Sequence, residues 1–404
     1  MKKRIFLKAI LISCSGFLSS AYLTACGGGG SSGSSTTTTS SSSPAPSLAI
    51  SGPIKNVDID IRFAMGGGTD ANGNVINSSG QINSLFNLVK SLGYNTVTMY
   101  LQAGINANTG LVGPGGPQNA LPADFWQEVD YAHSIGLNVN VKAPIGISIR
   151  AGENADAGDD ASFTSTTPLG AGITPSFVFA NVAAYIKNMA IQAQAHGANG
   201  FWIGHNNQGF DQGDSATAYF GPIIAAVKSV YSGPIGYEAS YNNTVFGMVN
   251  VIALNVDPPK ISTVPMYDVN QIVAGWDSTG TTALIKKLVA AYPGKTFLIH
   301  YSPQASNPGV GKETYAFSKF ITGGIDALAG MQANYAQQAV AYQAFIQVAK
   351  NTVVSGVTTA EFAPWSQNVR QSAAWLLMSQ LGDDLYFSAP SQNAIRAAFT
   401  TYTS

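Results

Sequence analysis

Cysteine is almost missing from this chain: there are two, Cys14 and Cys26, and both precede any segment with the pattern of a folded domain. The remainder therefore has no disulfide, no thiol nucleophile and no cysteine metal site. Charge is scarce too, at 10% of residues against about 25% in an average domain. With 20 Lys and Arg against 21 Asp and Glu, the chain lacks the clustered basic groups on which phosphate recognition rests, and no nucleic-acid partner is expected. No G-x-G-x-x-G follows the first strand-like run, and Met65-Gly-Gly-Gly-Thr69 lacks the spacing of a dinucleotide turn, so no cofactor is expected. The G-x-S-x-G match Gly29-Gly-Ser-Ser-Gly33 lies in low-complexity sequence, where no strand-to-helix elbow can present a serine.

What is present begins with a basic start, Lys2, Lys3 and Arg4, and an apolar run from Ile5 to Leu23 broken by Lys8 and serines. That is the pattern of an export signal rather than of a spanning helix. It ends in Leu23-Thr24-Ala25-Cys26, which resembles the lipobox of bacterial lipoproteins. The resemblance implies cleavage after residue 25, lipidation of Cys26 and a membrane partner through that anchor. Gly27, in place of an aspartate, points to the outer membrane if the cell has two. Residues 26–47 read GGGGSSGSSTTTTSSSSPAPS after the cysteine, a tether unable to bury a core, with a coil dimension of about 25 Å. The expected location is the cell envelope.

Residues 48–404 alternate short apolar runs with helical periods, the signature of βα units around a parallel sheet. Strands are expected near Asp58–Met65, Thr96–Gln102, Asn138–Ile145, Gly200–Asn206, Ile235–Ser240, Ile261–Tyr267, Thr296–Tyr301 and Gly356–Ala363. Helices fit between them, among them Gln81–Leu92, Pro122–Ile135, Val178–Ala195, Ala283–Ala291 and Tyr335–Lys350. Eight such units over this length predict an α/β fold of the (β/α)8 TIM-barrel type.

Functional side chains of such a barrel project from the C-terminal ends of its strands. Read at those ends, the sequence offers Arg62, Tyr100, Gln102, Lys142, His205, Asn206, Asn207, Glu238, Tyr267, Asp268, His300, Tyr301, Gln304, Glu361 and Trp365. Tyr100, Tyr267, Tyr301 and Trp365 are candidate stacking platforms for sugar rings, or core residues. Glu238, Asp268 and Glu361 are the candidate catalytic carboxylates. Glu238 and Asp268 end adjacent expected strands, near enough for a pair. The competing readings are a salt bridge from Glu238 to Arg62 or Lys142 and a turn cap for Asp268, while the strand parity of Glu361 is open. His205 and His300 with Glu238 or Asp268 make a weak ligand set, and Asp211, Asp214 and the 153–160 loop read as solvated rather than Ca2+-binding, so no metal is assigned.

The segments Ser91-Leu-Gly-Tyr-Asn95, Ala132-His-Ser-Ile-Gly-Leu137, Phe201-Trp-Ile-Gly-His-Asn206, Ile261-Ser-Thr-Val-Pro-Met-Tyr267, Lys295-Thr-Phe-Leu-Ile-His-Tyr301 and Val357-Thr-Thr-Ala-Glu-Phe-Ala-Pro-Trp365 occur in an order that resembles the barrels of clan A glycoside hydrolases, mannanase-like and galactanase-like. The resemblance spans roughly Leu85–Trp365 and implies a polysaccharide or oligosaccharide ligand. It also implies an acid/base glutamate ending the fourth strand and a nucleophilic glutamate ending the seventh. Here those positions hold Asn206 and His300, which supply no carboxylate. Two expectations follow: a surface-anchored glycoside hydrolase with relocated carboxylates, or a glycan-binding protein that does not cleave. A scaffold role for the barrel is a third.

Overall fold

A computed structural model gives the fold and describes residues 52–59, 78–114, 125–153, 162–306, 311, 325–362, 377, 380–382 and 385–403. Eight parallel strands close into a barrel: β1 (Ile54–Ile59), β2 (Thr96–Tyr100), β5 (Asn138–Lys142), β7 (Gly200–His205), β8 (Ile235–Ala239), β9 (Val251–Asn255), β10 (Thr296–Tyr301) and β11 (Gly356–Phe362), with β11 pairing back to β1. Around it stand α1 (Ser78–Ser91), α2 (Phe125–Ser134), α3 (Pro175–Ala195), α4 (Gly213–Lys228), α5 (Val269–Ser278), α6 (Thr281–Ala291), α7 (Tyr335–Thr352) and α8 (Ala389–Thr401). This is a (β/α)8 TIM barrel.

The sixth barrel strand is β9, not the expected Ile261–Tyr267, which forms no strand. Between β8 and β9 the chain makes only a four-residue 3-10 turn, Thr244–Gly247. A reading that looks for a helix after every strand passes over this crossover and takes the next apolar run instead.

Strand residues alternate between two environments. Val57, Val97, Val139, Phe201, Tyr237, Ile252, Ile299 and Val357 point outward into the main apolar core. Each apolar side chain buried there is worth about 1.5–3 kcal/mol. Tyr301 belongs to this face, its ring edge-on to Trp276 at 5.0 Å and beside Phe345 on α7. Facing inward, Ile54, Trp202, Val251, Ala253 and Leu298 plug the barrel's lower end. Above them Asn56 bonds to Thr98 and Thr358. The polar floor of the mouth comes next along the strands.

Two further strands continue past the rim. β3 (Ala103–Asn106) and β6 (Ile145–Ile149) follow β2 and β5, pair in parallel, and with β4 (Val112–Pro114) form a second, three-stranded sheet. The join is continuous, since Leu101 N–H donates to Lys142 O and Ala103 N–H to Pro144 O.

Candidate functional site

At the C-terminal ends of the barrel strands, side chains from β1, β2, β5, β7, β8 and β10 converge. Strand period and register explain why: Tyr100 lies opposite Lys142, and His205 opposite Glu238. A β-bulge between Trp202 and His205 turns His205 inward instead of Gly204, where a Cβ would meet Asn207 Oδ1 and the Tyr237 ring at 2.8 Å.

Lys142 is the hub. Its buried Nζ lies 2.8 Å from Glu238 Oε2 and 3.3 Å from Asp58 Oδ2, and it donates to Tyr100 OH at 3.1 Å. Tyr100 OH in turn donates to Asp58 Oδ2. The other oxygen of Glu238 accepts from His300 Nδ1 at 3.0 Å, and His300 Nε2 lies 3.2 Å from Ser302 Oγ.

Burial alone would discharge each of these groups. It works to lower the Lys142 pKa, but Asp58 and Glu238 outweigh it and raise that pKa. Burial likewise works to raise the Glu238 pKa, yet Lys142, His300 and His205 hold it well below the usual carboxylate range. For His300 burial is overcome by Glu238 and Asp58, and its pKa rises. Glu238 is thus an ionised acceptor with both oxygens engaged and 3% of its surface exposed.

His205 behaves oppositely. Ser240 N–H donates to Asn206 Oδ1 at 2.7 Å, which fixes the amide so that Asn206 Nδ2 donates to His205 Nε2 at 2.9 Å. That bond defines the neutral tautomer protonated on Nδ1. Burial, with Lys142 and His300 repelling a further proton, pushes its pKa down to about 4, although Glu238 and Asp58 pull the other way. Asn206 itself sits at φ +50°, a left-handed conformation that asparagine tolerates.

The donor atoms of Asp58, Glu238 and His300 lie within 4.8 Å of one another, near enough for a metal ion. The cation these carboxylates already hold is the Lys142 ammonium, and His300 presents Glu238 with an N–H. The set fits a metal only after Lys142 is displaced.

Several expected positions need correction. Asp268 is no partner of Glu238: it is the exposed N-cap of α5, accepting from Asn270 and Gln271 N–H. Tyr267 precedes it off any strand, 59% exposed, with its hydroxyl accepting from Asn334. Tyr301 cannot be a groove platform because its neighbour His300 takes the inward direction and adjacent strand residues face opposite ways. Asn207 is fully buried, its amide donating to Ile145 O and Phe163 O, which ties β6 to the following loop. Lys142 and His300 are buried and hold Glu238 from two sides. Arg62, Trp365, Cys26 and the Glu361 side chain fall outside the described residues.

The sequence reading missed Asp58, Asn255 and Ser302. Asp58 was placed at the start of its strand instead of near the end. Asn255 terminates Val251-Ile-Ala-Leu-Asn255, a buried-strand run just before Asp257-Pro-Pro259, and that punctuation was the available signal. Ser302 follows β10 two residues after His300, a spacing that puts both on one face.

The barrel has a glycoside hydrolase-like fold. A GH113 β-1,4-mannanase aligns with a TM-score of 0.59 and 16% identity over 86% of this chain and 99% of that one. The GH113 β-mannanase AaManA from Alicyclobacillus acidocaldarius gives 0.60 and 13% over 87% and 98%. A β-glucuronidase from Faecalibacterium prausnitzii gives 0.53 and 12%, matching 86% of this chain to 49% of the larger enzyme. No protein-family model and no curated protein sequence matches the chain.

Proposed function

We propose that this chain is an exported, lipid-anchored protein that holds a saccharide over the ends of its barrel strands and leaves the glycosidic bonds intact. The observation that carries this reading is the state of Glu238, buried and bound through both oxygens to Lys142 and His300. A retaining glycosidase needs one carboxylate free to attack and a second that stays protonated to aid departure, about 5–5.5 Å apart. Glu238 can do neither task while so engaged, and Asp58 is held by the same lysine.

Among the described residues, the groups the mouth offers a ligand are neutral and polar. Asn206, Asn255 and the ring of His205, whose side chain is 28% exposed, reach the surface above the ionic floor. Groups of this kind suit hydroxyl-rich ligands. Anchoring is supported by the apolar run ending at Cys26 and the Ser/Thr/Gly tether.

The fold neighbours named for β-1,4-mannan make that polymer the first ligand to try. The purified full chain should be retarded in native gels containing β-mannan and should release no reducing ends from it. Release of reducing ends that disappears in Glu238→Gln would overturn the non-hydrolytic reading in favour of a hydrolase with displaced carboxylates. Unretarded migration in mannan, galactan and glucan gels alike would remove the saccharide.

A further inference from the structure

Ser302, His300 and Glu238 form a connected series that saccharide binding does not use. β10 ends at Tyr301, and Ser302, the next residue, brings its hydroxyl back to His300. Ser302 Oγ lies 3.2 Å from His300 Nε2, and His300 Nδ1 lies 3.0 Å from Glu238 Oε1. The second oxygen of Glu238 is fixed by Lys142 at 2.8 Å. The serine is half-buried and reachable, while the histidine and glutamate behind it are buried. A nucleophile, a base within hydrogen-bond reach and a carboxylate that fixes the base's tautomer are the parts of an acyl-transfer centre.

We propose that Ser302, His300 and Glu238 constitute a serine esterase centre that removes short acyl groups from carboxylic esters, with O-acylated sugars as the substrate class. That the alcohol is a sugar rests on the saccharide reading; the ester chemistry does not. Ser302 Oγ bonds to the ester carbonyl carbon as its proton passes to His300 Nε2. The carbon–oxygen bond to the alcohol breaks, and the alcohol leaves with that proton. Water then attacks the acyl-serine, giving its proton to His300, which returns one to Ser302 Oγ as the acid departs. Ester and water become acid and alcohol, with no oxidant or cofactor. Glu238 accepts from Nδ1–H throughout and steadies the imidazolium formed at each stage. Asn255 stands level with His300 on β9 and brings a side-chain amide to the same height of the mouth.

The test combines a fluorophosphonate probe with 4-nitrophenyl acetate turnover on the full chain. The expected result is a single adduct mapped to Ser302 and turnover that falls roughly 100-fold or more in Ser302→Ala. His300→Asn should fall similarly. Ser302→Ala removes one half-buried hydroxyl, so its melting temperature should match the parent and keep the comparison clean. An unlabelled Ser302, or wild-type turnover in Ser302→Ala, overturns the proposal. Gel retardation by mannan is read separately on the parent chain; its absence there would defeat the saccharide reading while leaving the esterase result standing.

Discussion

Replacing Lys142 by Met would leave Asp58 and Glu238 buried with only His300 between them and an uncompensated charge. Breaking a buried ion pair from one side costs about 3–5 kcal/mol. Lys142→Met should therefore lower the urea midpoint sharply, and Glu238→Gln added to it should restore part of the loss. His205 makes a prediction about pH. Its folded pKa of about 4 lies below the ordinary 6.5, so between those values the unfolded chain takes up a proton that the folded chain refuses. Stability present above pH 6.5 is lost as the pH falls toward 4, by at most about 3 kcal/mol. His205→Gln should flatten that limb of the stability curve. The sign reverses for His300, faced by Glu238 from β8, Lys142 from β5, Asp58 from β1, His205 from β7 and Ser302 from just past its own strand. Its raised pKa adds stability that is complete below about pH 6.5 and disappears as the pH climbs through the folded value. Esterase turnover should rise as the pH climbs through that same folded value, because only the deprotonated ring accepts the Ser302 proton; a rate that falls as the pH rises above about 6.5 would contradict that role.

Among the elements, α5 and the barrel floor give the clearest tests. Asp268→Ala removes an N-cap and should cost about 1 kcal/mol in thermal unfolding without altering retention in polysaccharide gels. Gly236→Ala would drive a Cβ to 2.5 Å from the Trp202 ring, overpacking the barrel's lower end by about 1–3 kcal/mol. Legibility in the sequence also varied by element. Long periodic helices such as α7 stood out, and strands such as β10, flanked by helices, were placed to within a residue. β9 escaped because its crossover has no helix, and with it went Asn255 and the true environment of Asp268. The strand-end rule found Glu238, Lys142, His205 and His300 individually. It also offered a salt bridge from Glu238 to Lys142, which the structure contains, but not that the same lysine reaches Asp58, because side-chain convergence between distant strands leaves no spacing in the chain.

For the molecule as a whole, anchoring is the property to test first. Cys26→Ser should move the protein from the membrane fraction to the soluble fraction, read by fractionation and immunoblot; retention of the variant in washed membranes would argue against a lipid at that residue. The eightfold repetition made the barrel readable, whereas its use depended on pairwise geometry. One feature of that geometry reaches beyond the site. The Asp58 and Glu238 carboxylates are met within a few ångströms by the Lys142 ammonium and by the His300 ring, whose pKa they raise. Such a floor casts little field into the surrounding water, so it neither draws in nor repels ions at a distance. Capture of a charged polysaccharide should then proceed at nearly the same rate in dilute buffer and in molar salt, where a charged floor would lose its long-range pull or push.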